Sequence, residues 1–276
     1  MGMSRPTQTI SFIAAGVHAL ATRWHSPQLK SMPMCKLCGN DRSLVKAHVI
    51  PKSFWYLDRK STSGLEGPLA IMSSSGGRPV PSYVGLYDPN ILCQQCDGEL
   101  GKLDQHAAEK LVRGTREKLH LPTVDVWRYD QAHPRTLIRF LASVAWRASV
   151  SSLPYFARVR LGPYENKLRS ISMGEIEPTP DFACLLSEYD LEEVAQLNPT
   201  NTRLGDLNFI VLYAHRFAFY MKLDKRPLPL ELREASLAYD RPVLSIVRPW
   251  TATKEFKLLA KVVKANPKPA FWKQTV

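Results

Sequence analysis

An α+β fold is predicted for this chain, with a cysteine-framed unit at the front and a basic α+β region behind it. Three observations carry that expectation. Two Cys-x-x-Cys pairs, Cys35/Cys38 and Cys93/Cys96, bracket a stretch that reads as strand, loop, strand and the start of a helix. Apolar residues recur at helical spacing after Pro134, where Leu137, Leu141, Val144 and Ala148 share one side of a helix. The run NFIVLYAHRFAFYMKL, residues 208–223, is rich in β-branched and aromatic residues and reads as two antiparallel strands.

In chain order, residues 1–34 form an extension. Its Ile10–Ala21 stretch behind Arg5 looks weakly like a secretory apolar region with a small-residue site at Ala19-Leu20-Ala21. The longest apolar run, Ile10 to Leu20, is broken by Ser11, Gly16 and His18 and falls short of the roughly 20 residues a spanning helix needs. Residues 35–113 form the first unit. Arg42–His48 is expected as a strand, 60–81 as a Ser/Gly/Pro-rich loop, Tyr87–Cys93 as a second strand, and Asp97–Arg113 as a helix with Leu100, Leu103, Ala107 and Leu111 inward. Residues 114–276 form the second unit. It opens with a helix from Pro134, a good first-turn residue, to Val150. A Pro-punctuated acidic stretch, 171–205, follows, with Ser187–Leu197 read as a short surface helix. The two strands come next, and Thr251–Lys264 is expected as a last helix with Lys254, Lys257, Lys261 and Lys264 on one side.

A chain of 276 residues with 45% hydrophobic and 22% charged content has the composition of a water-soluble globular protein rather than a disordered or membrane one. The balance of 37 Lys and Arg against 25 Asp and Glu, a net +12, favours polyanionic partners. That charge is unevenly placed. Residues 114–170 carry 10 basic and 4 acidic groups, residues 171–210 carry 1 and 8, and residues 211–276 carry 13 and 5.

The cysteine spacing points to metal rather than disulfides, and hence to a reducing compartment such as the cytoplasm. Each Cys-x-x-Cys pair offers two thiolates from one tight turn, and two pairs complete the closed tetrahedral sulfur shell of a structural Zn2+ site. The fifth cysteine, Cys184, lies in the apolar run Phe182–Leu186 and reads as a small buried hydrophobe.

Between the pairs lies Lys46-Ala47-His48-Val49-Ile50-Pro51, and the second pair is followed at once by Asp97 and a helix. This pattern resembles the HNH, or ββα-metal, endonuclease family in its four-cysteine form: C-x-x-C, a strand ending in H-[IV]-[IV]-P, a variable loop, then L-C-x-x-C-[NDH] opening a helix. The resemblance covers Cys35 to about Arg113, under a third of the chain, and implies a zinc-stapled ββα-metal module that hydrolyses DNA phosphodiester bonds with Mg2+ or Mn2+, leaving 5′-phosphate and 3′-hydroxyl ends. On it, His48 matches the general base and Asp97 the ligand of the catalytic cation, while Asn90 most nearly matches the Asn that pins the loop. The chemistry of the residues agrees: a neutral imidazole can accept a proton from water near pH 7, and a carboxylate suits a hard cation. Modules of this kind recur in anti-phage defence, which makes such a role an expectation by association.

One departure stands out, because many relatives carry an acid or a histidine as a second ligand just before the base, where this chain has Ala47. Glu99, His106, or an acid of the loop such as Asp58 or Glu66 are the other candidates. Asp104, seven residues beyond Asp97 and about 10 Å further along the helix, is expected to be a supporting, phosphate-side or structural residue instead. Ala47 also motivates an alternative, an inactive zinc-ribbon protein that binds nucleic acid or acts as a scaffold. Arg135, Arg139 and Arg147, at offsets of four and eight, form a row on one helix that can follow a DNA backbone or face solvent. The C-terminal region is expected to position DNA or to bind a protein partner or a second copy of the chain.

Overall fold

The computed structural model describes residues 33–55, the backbone of 69–71 and 80–82, and residues 85–179, 182–190, 197–238, 240–254 and 256–257. Secondary structure is mixed, as an α+β fold requires. The short strand β1 (Ala47–His48) comes first, followed by the isolated ribbon of β2 (Leu69–Ile71) and β3 (Val80–Ser82) and then by β4 (Tyr87–Asp88). Helix α1 (Gln94–Ala107) follows and runs into a π turn over Ala108–Val112. Strands β5 (Glu117–His120) and β6 (Asp125–Tyr129) precede α2 (Pro134–Val150) and α3 (Glu165–Met173). The remainder is β7 (Cys184–Tyr189), β8 (Thr200–Leu204), β9 (Leu207–Ala214), β10 (Phe217–Lys222), the short α4 (Leu230–Ala235) and β11 (Val243–Arg248).

Strands β1 and β4 pair antiparallel, with Ala47 opposite Asp88 and His48 opposite Tyr87, and α1 follows directly. The local order is therefore strand, strand, helix, with the long 56–84 stretch inserted between the strands. Strands β5 to β11 build one seven-stranded sheet in the order β5-β6-β11-β7-β10-β9-β8, antiparallel throughout except where β11 joins β7. Strand alternation divides its side chains between two apolar faces. Phe217, Phe219, Met221, Ile210 and Leu212 belong to the main core, while Ala218, Tyr220, Phe209 and Val211 pack on the other face with Tyr189, Leu228 and Trp250.

Helix α2 is the pillar of the molecule. It begins at Pro134 and ends at Val150, as the sequence predicts, but it is buried around most of its circumference rather than along one stripe. It packs on α1 and α3, and Phe140 meets Phe219 from the sheet at a ring-centroid distance of 6.2 Å. Phe54, just beyond β1, stacks on Phe140 at 5.4 Å and lies edge-on to Phe217 and Phe219. One apolar core thus runs from the cysteine-framed residues into the C-terminal sheet, and no break in packing falls at residue 113.

Several expectations change. Arg42–His48 narrows to the two paired residues of β1, with Leu44 making a single bridge to Cys93, and Tyr87–Cys93 narrows to β4 because a turn occupies 89–90. Helix α1 starts at Gln94 rather than Asp97, since Cys93 already takes the N-cap position. Ser187–Tyr189 belong to the buried strand β7 and not to a surface helix. The charge of Glu188, which gives that stretch its amphipathic look, is consumed inside by Tyr129, Arg116 and Arg216. At the C-terminus a 3-10 turn over Trp250–Ala252 precedes a helical segment, and Lys261 and Lys264 lie outside the described residues, as do residues 1–32 of the 1–34 extension, Asp58 and Glu66. Among the described residues no helix is long and apolar enough to cross a membrane.

The shared core predicts that Phe54→Ala costs about 3–5 kcal/mol. Tryptophan fluorescence and far-UV circular dichroism, followed through a denaturant titration, should report one coincident transition that moves as a whole. Separate transitions, with only one displaced, would show that the front unit is packed independently.

Candidate functional site

The two Cys-x-x-Cys turns meet. The Sγ atoms of Cys35, Cys38, Cys93 and Cys96 all lie within 4.8 Å of one another, and none is in a disulfide. The first turn is closed by the Gly39 amide bonding the Cys35 carbonyl at 2.8 Å, with Gly39 at φ +73°, a conformation glycine adopts without a Cβ penalty. The second turn is the head of α1, with Cys93 capping the helix and Cys96 in its first turn. Cross-links hold the halves together: the Lys36 amide bonds the Ile91 carbonyl at 2.9 Å, and the Cys93 amide points at the Cys35 sulfur at 3.3 Å.

A tetrahedral shell with metal–sulfur bonds of about 2.3 Å has sulfur–sulfur edges of about 3.8 Å, so these four donors fit one soft or borderline ion such as zinc. Their acidities show the same crowding. Burial works to raise the Cys35 thiol, but the backbone amides of Cys38, Cys93 and Leu37 prevail and bring it down to about 7. Burial pushes the Cys96 thiol far up, helped by the other three sulfurs and by the charge of a Cys35 thiolate. Four thiolates cannot coexist here without a cation between them.

Beside the cluster lies an open cleft of about 480 Å3, and it collects residues from four separate parts of the chain. His48 enters at the end of β1 and Lys52 and Ser53 from the turn after it. Asp97, Gly101, Asp104 and Gln105 line it from one face of α1, Arg113 from the end of the π turn, and Arg147 from α2. Of the three residues matched to the family's site in the sequence, His48 and Asp97 therefore face one cavity. The Asp97 carboxylate is half-buried and has neither a hydrogen bond nor a salt bridge among the described residues. Burial raises its pKa, Arg147 pulls it down, Asp104 pushes it up again, and His48 lowers it.

Asp104 and Arg147 form the floor. Arg147 is 1% exposed, and its guanidinium grips both carboxylate oxygens of Asp104, at 2.8 and 2.6 Å. The same guanidinium donates to the His48 backbone carbonyl at 2.9 Å and, through its other nitrogens, to Ser143. One buried cation thus ties β1, α1 and α2 together at the base of the cleft. Ala47, beside His48, is fully buried and supplies no donor.

The predicted arginine row does not exist as a free strip, because α2 lies in the core. Arg135 pairs with Glu177 at the surface, Arg139 donates to the Ser172 carbonyl at 3.2 and 3.4 Å, and Arg147 is the buried residue just described. Asn90 is exposed in the turn after β4 and does not line the cleft, and the buried polar contacts at this turn are made by its neighbour Asp88. Asp88 is fully buried and accepts from the Asn90 and Ser152 amides at 2.9 and 2.7 Å and from the Ser151 and Ser152 hydroxyls at 2.8 and 3.0 Å. Burial alone would raise its pKa, but these four donors hold it below the usual carboxylate value. Glu99 is held by Lys102 on the surface and His106 lies against His133, so neither joins His48 and Asp97.

Comparison with family models, with curated proteins and with solved structures returned no match.

The cluster predicts that folded protein carries one tightly held metal ion per chain, and that Cys93→Ser loses metal and cooperative folding together. Elemental analysis of the purified, folded wild type showing no bound metal would contradict it. The floor makes a second prediction: Arg147→Met, which strands the Asp104 carboxylate, should cost about 3–5 kcal/mol. Adding Asp104→Leu in the same chain should recover part of that loss in a denaturant titration, whereas additive losses would mean that the pair is energetically uncoupled.

Proposed function

We propose that this chain is a metal-dependent endonuclease of the HNH type that hydrolyses DNA phosphodiester bonds. The observation that carries the reading is the convergence of His48 and Asp97 on one cleft above the four-cysteine cluster, from a strand, strand, helix order. On this reading the cluster holds zinc as a structural ion. The open cleft, with Lys52 and the exposed Arg113 among its walls, suits a polyanionic chain.

In the reaction, His48 accepts the proton of a water molecule, which attacks the phosphorus as the bond to the 3′ oxygen breaks and that oxygen takes a proton from solvent, leaving 5′-phosphate and 3′-hydroxyl ends. Arg147 fixes the strand that carries the base by bonding the His48 carbonyl. A hard divalent cation, Mg2+ or Mn2+, would supply charge neutralisation at the scissile phosphate, and Asp97 is the residue to hold it, since its carboxylate has no protein partner among the described residues. Asp104 keeps both oxygens on Arg147. The remaining positions around such a cation would fall to water and to substrate oxygens, as is usual for Mg2+. The reduced thiols fit a cytoplasmic setting.

A second reading, a zinc-ribbon protein that binds nucleic acid without cutting it, draws on the full burial of Ala47, which deprives the site of a second side-chain ligand beside the base. Supercoiled plasmid incubated with the zinc-loaded protein and Mg2+ or Mn2+ separates the two. The nuclease reading expects nicking that falls by about 100-fold or more in His48→Ala while zinc content and melting are kept. Asp97→Asn should lose activity and regain part of it at high Mn2+. Plasmid binding with no metal-dependent cleavage by the wild type would establish the second reading instead.

A further inference from the structure

Among the described residues three cations line the cleft, and their circumstances differ. Arg147 is buried and spent on Asp104 and the His48 carbonyl. Lys52 sits on the turn after β1 and is already engaged within the protein. Arg113 is exposed, lines the cleft, and makes no side-chain hydrogen bond, salt bridge or ring contact among the described residues.

The backbone that presents Arg113 is unusual. Helix α1 does not end in an ordinary turn but widens into the π turn over Ala108–Val112, and the Arg113 amide closes it on the Ala108 carbonyl at 3.1 Å. Such turns are rare and cluster at functional positions, because they redirect the residues that follow. Two contacts lock this one. Arg216 donates from the turn between β9 and β10 to the Leu111 carbonyl at 2.9 Å, and a Cβ at position 114 would come within 2.3 Å of the Lys110 carbonyl oxygen, so only glycine fits after Arg113. An exposed arginine with no partner would ordinarily follow a mobile stem. Here the stem is fixed by a locked turn, and its charge is left unneutralised in a cavity that also holds His48 and Asp97.

We propose that Arg113 is a phosphate-binding residue, clamping a backbone phosphate of the nucleic acid strand in the His48/Asp97 cleft. A guanidinium suits this role because its planar fork can give two parallel hydrogen bonds to phosphate oxygens, and no protein carboxylate competes for it among the described residues. The division of labour is then between a buried arginine that holds the protein and an exposed one that holds the substrate. This assignment rests on the nuclease reading of the same cleft.

The test uses the full-length, zinc-loaded protein. Binding of a short duplex is measured in the His48→Ala background across a salt series, and cleavage is measured in the otherwise wild-type protein. Arg113→Gln should weaken binding and flatten the plot of log affinity against log salt by about 0.9, the share of one neutralised phosphate. It should raise KM for cleavage far more than it lowers kcat, and Arg113→Lys should restore the salt slope, because it returns a charge to the same place. Gly114→Ala, which keeps the arginine but disturbs its turn, should reproduce the loss in part. Unchanged slope and KM in Arg113→Gln, with an active wild type, would overturn the role of Arg113 and leave the nuclease reading standing. A wild type that cleaves no DNA under any divalent metal would overturn the nuclease reading and this assignment with it.

Discussion

The meeting of four cysteine sulfurs from turns 58 residues apart is the constraint on which the front of this molecule depends. Strands β1 and β4 pair through only two residues each, and the stretch between them is long. A ribbon of that length has little stability of its own. Drawing Cys35 and Cys38 against the head of α1 closes the long loop and sets β1 beside the helix, and a bound ion at such a site adds on the order of 10 kcal/mol to folding. Buried apolar residues next to each turn, Leu37 and Leu92 among them, then continue the cluster into the core that α2 organises.

Charge in the cleft is arranged in layers. At the base, Arg147 and Asp104 neutralise one another out of water, a costly arrangement unless the geometry is good, and here it is bidentate with a further bond to the His48 carbonyl. That satisfaction is what leaves Asp97 as the carboxylate without a protein partner among the described residues, half-buried and raised by burial. Away from the cleft, the sheet repeats the principle with Glu188, which is fully buried between Arg116, Arg216 and Tyr129. Because Arg216 also reaches the Leu111 carbonyl, the sheet braces the end of α1, and with it the turn from which Arg113 extends.

Much of the fold is legible in the sequence wherever the signal is local. Pro134 and the apolar spacing behind it mark both ends of α2, and the β-branched and aromatic run over 208–223 marks the antiparallel pair β9 and β10. The cysteine pairs announce their cluster, and the residues flanking them place His48 and Asp97 near it. What is hidden depends on partners distant in the chain. Arg147 reads as part of a solvated row until Asp104, 43 residues earlier, is brought against it. Asp88 carries no recognisable mark, because its partners Ser151 and Ser152 lie beyond the far end of α2. Strand β7 is disguised by Glu188, and the insertion of β11 between β6 and β7 follows from no local pattern.

On the proposed reading, scaffold and chemistry occupy separate places, with the cysteine cluster as a closed structural centre and the cleft beside it as the reactive one. Zinc X-ray absorption on the metal-loaded protein, before and after addition of Mn2+ and a DNA duplex, tests this directly. Four sulfur neighbours at about 2.3 Å, unchanged by either addition, are expected. A shell with a nitrogen or oxygen neighbour, or one that gains an oxygen when DNA is added, would mean that the zinc is an open and reactive centre and would contradict the separation of scaffold from cleft.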